Sequence, residues 1–147
     1  MLVWRLTKPE HAPGLDGEGA RLWGGRWNSP GVPMIYCASS LALAALEVLV
    51  HLPPSMRRPG MLPPLVAVGL ELPDAEVPHA VGAFFDQNDC RFHGDNWITN
   101  KSDYAVRVPS FVIQRETNVL LNPTHPRMFG IRLLVQEPFV FEDRLLP

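Results

Sequence analysis

Sixteen prolines are spread along this chain of 147 residues, and some stand in pairs such as Pro53-Pro54 and Pro63-Pro64. Proline has no amide donor and a fixed φ angle, so it interrupts helices and is confined to the edges and ends of strands. This spacing predicts short elements joined by turns and argues against long helices. A chain of this length suits one domain, and no shift in composition divides residues 1–147 into two.

Composition narrows the class of protein. Hydrophobic residues make up 46% and charged residues 19% of the chain, which is typical of a folded globular domain. A formal net charge of −2 gives no broad positive field, so we expect no direct binding to nucleic acid. The two cysteines have neither disulfide nor zinc-site spacing, and no stretch approaches 18 apolar residues. We therefore expect a cytoplasmic protein that does not enter the membrane.

Apolar patterning predicts more strands than helices. Strands are predicted at residues 2–6, 33–38, 65–72, 104–108, 110–113, 118–121 and 131–141. Helices are predicted at residues 41–51 and 95–101, and the glycine-dense stretch up to Gly31 is expected to be loop. The pattern indicates an α+β fold, a single mixed α/β domain.

The first predicted helix contains a conflict between its apolar pattern and a charge. Residues 41–51 leave no polar face, which is typical of a buried helix, yet Glu47 stands in the middle. A carboxylate removed from water costs several kcal/mol unless a partner or a shifted pKa relieves it. Arg26 is a candidate partner, and its pairing with Glu47 could be a structural ion pair or part of a functional site.

Other polar residues allow both chemical and structural interpretations. Arg26 follows two glycines, so the backbone can approach a ligand there while the guanidinium binds a phosphate or carboxylate. Tyr36 could stack on a ring or simply pack in its strand. Ser110 could act as a nucleophile or hydrogen-bond donor, although a turn-forming serine is the simpler interpretation without a neighbouring base.

His51 lies four residues after Glu47 and on the same helix face, so a Glu–His couple or half of a metal site is conceivable. The other four histidines lack the spacing of a zinc site, so we predict no metal. His51 is then interpreted as a cation favoured by the carboxyl end of the helix.

Five blocks of the sequence, taken in order, resemble the RES domain family, which is named for its Arg, Glu and Ser. The blocks are Gly25-Arg26-Trp27-Asn28 with Gly31 and Tyr36, residues 45–51, residues 94–97, Val108-Pro109-Ser110 and residues 118–126. The resemblance runs from Trp4-Arg5 to residues 141–145. Residues 74–90 match no part of the pattern.

The resemblance implies a bacterial toxin paired with an Xre-type helix-turn-helix antitoxin that would cover the cleft. It implies a fold similar to that of ADP-ribosyltransferases, with a central, largely antiparallel β-sheet, and NAD as the substrate without a metal. The toxin is expected to be a homodimer. The ADP-ribose acceptor would be a protein target such as phosphoribosyl pyrophosphate synthetase, or else phosphate or water, which would deplete NAD.

The resemblance also assigns roles to residues. Family positions fall on Arg5, Arg26, Tyr36, Glu47, Ser110, Asn118 and Asn122. By resemblance Glu47 would hold the ribose hydroxyls and face the positive charge of the cleaved ribose, and Arg26, with Arg5, would bind the pyrophosphate. Tyr36 would contact the nicotinamide or ribose ring, and Ser110 would orient either Glu47 or the ribose. Asn118 and Asn122 match motif positions expected to contact NAD. The alternative is a non-enzymatic binding module in which Arg26 and Glu47 are only a structural pair.

Overall fold

The computed structural model describes residues 1–147, in which six strands form one sheet. The strands are β1 (Leu2–Thr7), β2 (Ile35–Ala38), β3 (Leu65–Glu71), β4 (Ala105–Pro109), β5 (Thr117–Leu121) and β6 (Arg132–Phe139). The α-helices are α1 (Glu18–Trp23), α2 (Leu41–His51) and α3 (Gln87–Asn100). The sheet order is β4-β5-β2-β1-β3-β6, and every neighbouring pair is antiparallel. The predicted α+β fold with an antiparallel sheet is confirmed.

Three buried clusters hold these elements together. The largest joins residues of β1, β2, β3 and β5, including Val3, Val68 and Val119, which are fully buried. A second packs Trp97 and Ile98 of α3 against β4 and β5. The third places α2 on the sheet through small and apolar side chains. Each fully buried Val or Leu contributes about 1.5–3 kcal/mol, so these clusters fix the strands that carry the polar side chains.

Strands β1 and β2 are neighbours in the sheet, but they pair only through Trp4 and Ala38. By contrast, β1 pairs with β3 over six residues, from Leu2 to Thr7. The two strands therefore separate beyond the single pair, and side chains from both of them reach the space between.

The segment that matched no family pattern protects a sheet edge. The Arg107 amide of β4 donates to the Pro78 carbonyl at 2.8 Å, and the Ala80 amide donates to the Arg107 carbonyl at 2.8 Å. These bonds occupy the outer edge of β4, where unpaired backbone groups could otherwise pair with a strand of another molecule. No helix of the structure has the length and hydropathy needed to cross a membrane.

Three segments differ from the sequence predictions: glycines bound the first, and side-chain hydrogen bonds cap or redirect the backbone in the other two. The predicted glycine loop contains α1, which lies between Gly17 and Gly24, both with positive φ. Helix α3 begins eight residues before the predicted start, where Asp86 and Asp89 form a capping box. The predicted strand at 110–113 is wrong, because the Ser110 hydroxyl accepts from the Val112 and Ile113 amides and turns the chain.

Helix α2 has the predicted bounds, and the Ser40 hydroxyl caps it by accepting from the Leu43 amide at 3.0 Å. The prediction that it is buried all round is wrong. Only Leu43 and Ala44 are buried, whereas Val50 is 49% exposed. The helix packs one side on the sheet and leaves other apolar side chains beside a cleft and in solvent, so Glu47 is half-buried rather than enclosed.

Candidate functional site

A cleft of about 500 Å³ lies between the separated strands β1 and β2, helix α2, and the glycine-rich segment before β2. This volume is within the range of ligand pockets, and most of the lining is apolar, as such pockets usually are. The polar side chains that line it are Arg5, Arg26, Tyr36, Glu47, His51 and Asn118.

The Glu47 carboxylate is held through one of its two oxygens. Its Oε1 accepts hydrogen bonds from the Ser110 hydroxyl at 2.9 Å and from Asn118 Nδ2 at 2.7 Å. The Ser110 oxygen in turn accepts from the amides of Val112 and Ile113, which directs its proton towards Glu47. Glu47 Oε2 receives no hydrogen bond from the protein, so a fixed anionic oxygen remains for a ligand.

Arg26 does not pair with Glu47. The ion pairs of the structure are Arg21–Glu18, Arg127–Asp74, Arg132–Glu71 and Arg144–Glu142. The Arg26 guanidinium instead lies over the Phe111 ring, 4.1 Å from its centroid, in a cation–π contact. Of the two interpretations that the sequence left open, the structural Arg26–Glu47 ion pair is therefore absent. Because stacking uses the face of the guanidinium, its N–H edge remains suited to an anionic ligand.

Arg5 and Asn118 each bring an unpaired buried polar atom to the cleft. Arg5 is fixed by a 2.7 Å hydrogen bond from Nη1 to the Gly14 carbonyl, while its Nε has no partner. Asn118 donates to Glu47 through Nδ2, and its Oδ1 has no partner. Buried polar groups in proteins are nearly always paired, and the third unpaired atom of this kind, Arg107 Nε, lies away from the cleft.

The hydroxyl of Tyr36 holds the glycine-rich segment. It donates to Asn28 Oδ1 at 2.6 Å and accepts from the Trp27 amide at 3.0 Å. Burial raises the pKa of Tyr36, so the hydroxyl stays neutral. A Cβ on Gly25 would lie 2.6 Å from this hydroxyl, which explains why glycine precedes Arg26. Tyr36 thus offers a ligand its ring, because its hydroxyl is already occupied.

Helix α3 holds the same segment from the other side. Asp95 accepts from the Ser29 amide at 2.8 Å and from the Ser29 hydroxyl at 2.6 Å. Arg91 Nε donates to the Gly25 carbonyl at 3.0 Å. The backbone on both sides of Arg26 is therefore fixed by long-range hydrogen bonds.

Comparison with known proteins identifies the family. Residues 2–142 match the model of the family described as "RES domain". The chain belongs to the RES domain family. It is 34% identical to "Prs ADP-ribosylating toxin" of Sphingobium sp. (strain YBL2), over 97% of this chain and 95% of that protein. It is 31% identical to "Toxin Res" of Yersinia enterocolitica serotype O:8 / biotype 1B (strain NCTC 13174 / 8081), over 99% of both chains.

A solved structure shares the fold of this RES domain. It is the crystal structure of the M. tuberculosis MbcT–MbcA toxin-antitoxin complex, which superposes with a TM-score of 0.69 at 20% identity. The match covers 95% of this chain and 84% of that chain. At this identity the likeness concerns the fold.

Asn122 lies outside the cleft of this RES domain. Its side chain is fully buried, donates to the Ile98 carbonyl at 3.3 Å, and accepts from the Thr124 amide and hydroxyl. These bonds join the end of β5 to α3. The structure thus brings six of the seven candidate residues together. Five of them line the cleft, and Ser110 joins them through its hydrogen bond to Glu47, whereas Asn122 has only structural partners.

Sequence reasoning missed two contributors to the RES-domain cleft: Asn28 anchors the glycine-rich segment, and Phe111 supports Arg26. His51, which the sequence already placed on the helix face of Glu47, lines the cleft with its Nδ1 2.6 Å from the Glu47 carbonyl oxygen. The position of Asn28 after Gly25-Arg26-Trp27 was a usable signal, but no sequence pattern links Phe111 to Arg26. The structure contains no group of three or more His, Cys, Asp or Glu that could hold a metal ion.

Replacing Tyr36 with Phe is expected to destabilise the RES domain by about 1–3 kcal/mol, because the Trp27 amide and Asn28 lose a buried partner. Urea unfolding followed by circular dichroism measures the change. Phe139→Leu on β6 serves as a control for ring substitution away from the cleft. Unchanged stability of Tyr36→Phe would show that the hydroxyl does not hold the segment.

Proposed function

We propose that this protein is the toxin of a bacterial toxin–antitoxin pair, and that it cleaves the nicotinamide–ribose bond of NAD and transfers ADP-ribose to an acceptor. The observation that carries the proposal is the Glu47 carboxylate, fixed through Oε1 by Ser110 and Asn118 in a cleft that also holds two arginines. The relative named "Prs ADP-ribosylating toxin" supports the same chemistry.

The chemistry requires one fixed negative charge. Nicotinamide is a cationic group in NAD and leaves as a neutral molecule, taking the electron pair of the C1′–N bond. No acid is needed for its departure, but positive charge develops on the ribose, as in glycoside hydrolysis. A preorganised carboxylate stabilises that charge without reorganising during the reaction. Glu47 fits this role because its orientation is set before the ligand binds.

The remaining cleft residues fit the other parts of NAD. Arg26 and Arg5 would bind the pyrophosphate, since guanidinium groups match phosphate oxygens. Glu47 Oε2 and Asn118 Oδ1 would accept from ribose hydroxyls, which would satisfy the unpaired amide oxygen. The Tyr36 ring would form a wall beside the nicotinamide ribose. Ser110 would act only through Glu47.

Partners follow from the same proposal. The solved relative is part of a toxin–antitoxin complex, which supports an antitoxin partner here. We propose an Xre-type helix-turn-helix protein that covers the cleft, a homodimeric toxin, and action in the cytoplasm. The acceptor is either a protein such as phosphoribosyl pyrophosphate synthetase, in keeping with the relative's name, or phosphate or water.

The direct test incubates purified protein with NAD, with phosphate and with bacterial lysate, followed by mass spectrometry of small molecules and proteins. We expect nicotinamide in at least one reaction, and the mass of the ADP-ribose product identifies the acceptor. Absence of nicotinamide under all three conditions would contradict the enzyme proposal. Reactions without protein and with heat-denatured protein provide the blanks.

Replacing Arg26 with Ala is expected to raise KM for NAD by about 10–100-fold, because charge-assisted hydrogen bonds contribute about 1.5–3 kcal/mol each. The matched control is Arg144→Ala, since Arg144 is 89% exposed and paired only with Glu142. Initial rates of nicotinamide release give KM for both variants. An unchanged KM for the Arg26 variant would show that the guanidinium does not bind NAD.

A further inference from the structure

His51 is the last residue of α2 and lies one turn after Glu47 at the mouth of the cleft. Its Nδ1 is 2.6 Å from the Glu47 backbone carbonyl oxygen. A carbonyl can only accept, so the neutral imidazole keeps its proton on Nδ1. The lone pair is then on Nε2, and the hydrogen bond fixes which nitrogen can take up a proton.

The carboxyl end of α2 does not need His51 as a capping cation. The Arg57 guanidinium donates to the Val50 carbonyl at 2.7 Å and to the Leu52 carbonyl at 2.7 Å. These carbonyls belong to the residues on either side of His51. Arg57 thus already supplies positive charge and hydrogen-bond donors at this end of the helix.

The other titratable groups of the cleft are poorly suited to accept a proton. Arg5 and Arg26 are permanent cations that face the cleft from β1 and from the glycine-rich segment. Burial raises the pKa of Cys37 to about 11 and also raises that of Tyr36, so neither supplies a basic anion at neutral pH. Glu47, on the same helix as His51, is held by Ser110 and Asn118 through Oε1, and the proposed mechanism places its unbonded Oε2 against the positive charge that develops on the ribose.

We propose that His51 is the general base that deprotonates a neutral hydroxyl acceptor, either water or a hydroxyl side chain; this rests on the proposed function. The acceptor oxygen forms its bond to C1′ as the C1′–N bond breaks and nicotinamide leaves with the electron pair. The acceptor proton moves to His51 Nε2. The resulting imidazolium then loses that proton to solvent, since His51 is exposed.

The test compares nucleophiles that need a base with one that does not. His51→Asn keeps a side-chain N–H for the Glu47 carbonyl but removes the basic nitrogen. Nicotinamide release is measured with NAD in water, in dilute methanol and with sodium azide, an anion that is already deprotonated. The matched control is His79→Asn, which changes an exposed histidine that does not line the cleft.

We expect His51→Asn to lower hydrolysis and methanolysis by about 100-fold or more, as loss of a general base does. Azide-dependent release should fall far less. Equal losses with all three nucleophiles, or no loss, would overturn the base role. Wild-type protein that uses azide but neither water nor methanol would also overturn it. Wild-type protein that releases no nicotinamide with any nucleophile or lysate would overturn the proposed function itself.

Discussion

Glu47→Gln is expected to lower nicotinamide release at saturating NAD by about 1000-fold. The glutamine oxygen can still accept from Ser110 and Asn118, so the side chain keeps its place and loses only its charge. Two unit charges 4 Å apart interact by about 4 kcal/mol at an effective dielectric constant of about 20. Each 1.36 kcal/mol of transition-state stabilisation is roughly a factor of ten in rate, which gives the expected loss.

The same variant should remain folded, because Glu47 is only half-buried and α2 keeps its Ser40 cap. The matched control is Glu137→Gln, an exposed carboxylate on β6. Nicotinamide release and thermal unfolding should both be measured for the two variants. If Glu47→Gln lowers the melting temperature by several degrees but leaves the activity intact, Glu47 is a structural residue and the enzyme mechanism is contradicted.

Gly94→Ala should have the largest effect on stability. A Cβ at Gly94 would lie 1.7 Å from the Trp27 carbonyl oxygen and 2.8 Å from its carbonyl carbon, so helix α3 and the glycine-rich segment could not keep their positions. Overpacking a well-filled core costs about 1–3 kcal/mol and sometimes more, and we expect the upper end because backbone must move. For a chain of this size that lowers the melting temperature by roughly 10 °C.

The control for Gly94→Ala is Gly19→Ala. A Cβ at Gly19 meets nothing within 4 Å, and its helix α1 should gain up to about 1 kcal/mol from the better helix former. Thermal unfolding, followed by circular dichroism, compares the Gly94→Ala and Gly19→Ala variants. The two substitutions should shift the melting temperature in opposite directions. A Gly94 variant as stable as wild type would mean that α3 and Trp27 are not in the close contact described.

Local sequence signals predict the elements with strong boundaries. Helix α2 can be placed because Ser40 precedes an apolar run and Pro53 follows it. Strand β3 can be placed because its apolar run lies between two proline-containing connectors. The sequence prediction begins α3 too late, because Gln87–Asn100 has few apolar residues and only a capping box of two aspartates marks its start. The order of the strands could not be predicted, because antiparallel pairing of distant strands leaves no local pattern.

Most members of the candidate site could be predicted from the sequence, but not all their contacts. Sequence reasoning considers Glu47 and Arg26 as a pair, since opposite charges attract and both lie near glycine or apolar residues. The structure pairs Glu47 with Ser110 and Asn118, which are 63 and 71 residues away along the chain. Only the family resemblance links Ser110 to Glu47. The stacking of Arg26 on Phe111 depends on a turn that was predicted to be a strand.

The two hydrogen bonds that orient Glu47 have a consequence for synthesis of the protein. Its two donors lie late in the chain, at Ser110 and Asn118, whereas Arg5 and Arg26 lie near the start. A nascent chain on the ribosome thus carries Arg5 and Arg26 long before the Glu47 carboxylate can be oriented. At about 5–20 residues per second, several seconds of translation separate Arg26 from Asn118. The cleft therefore gains its oriented carboxylate only in the last part of synthesis.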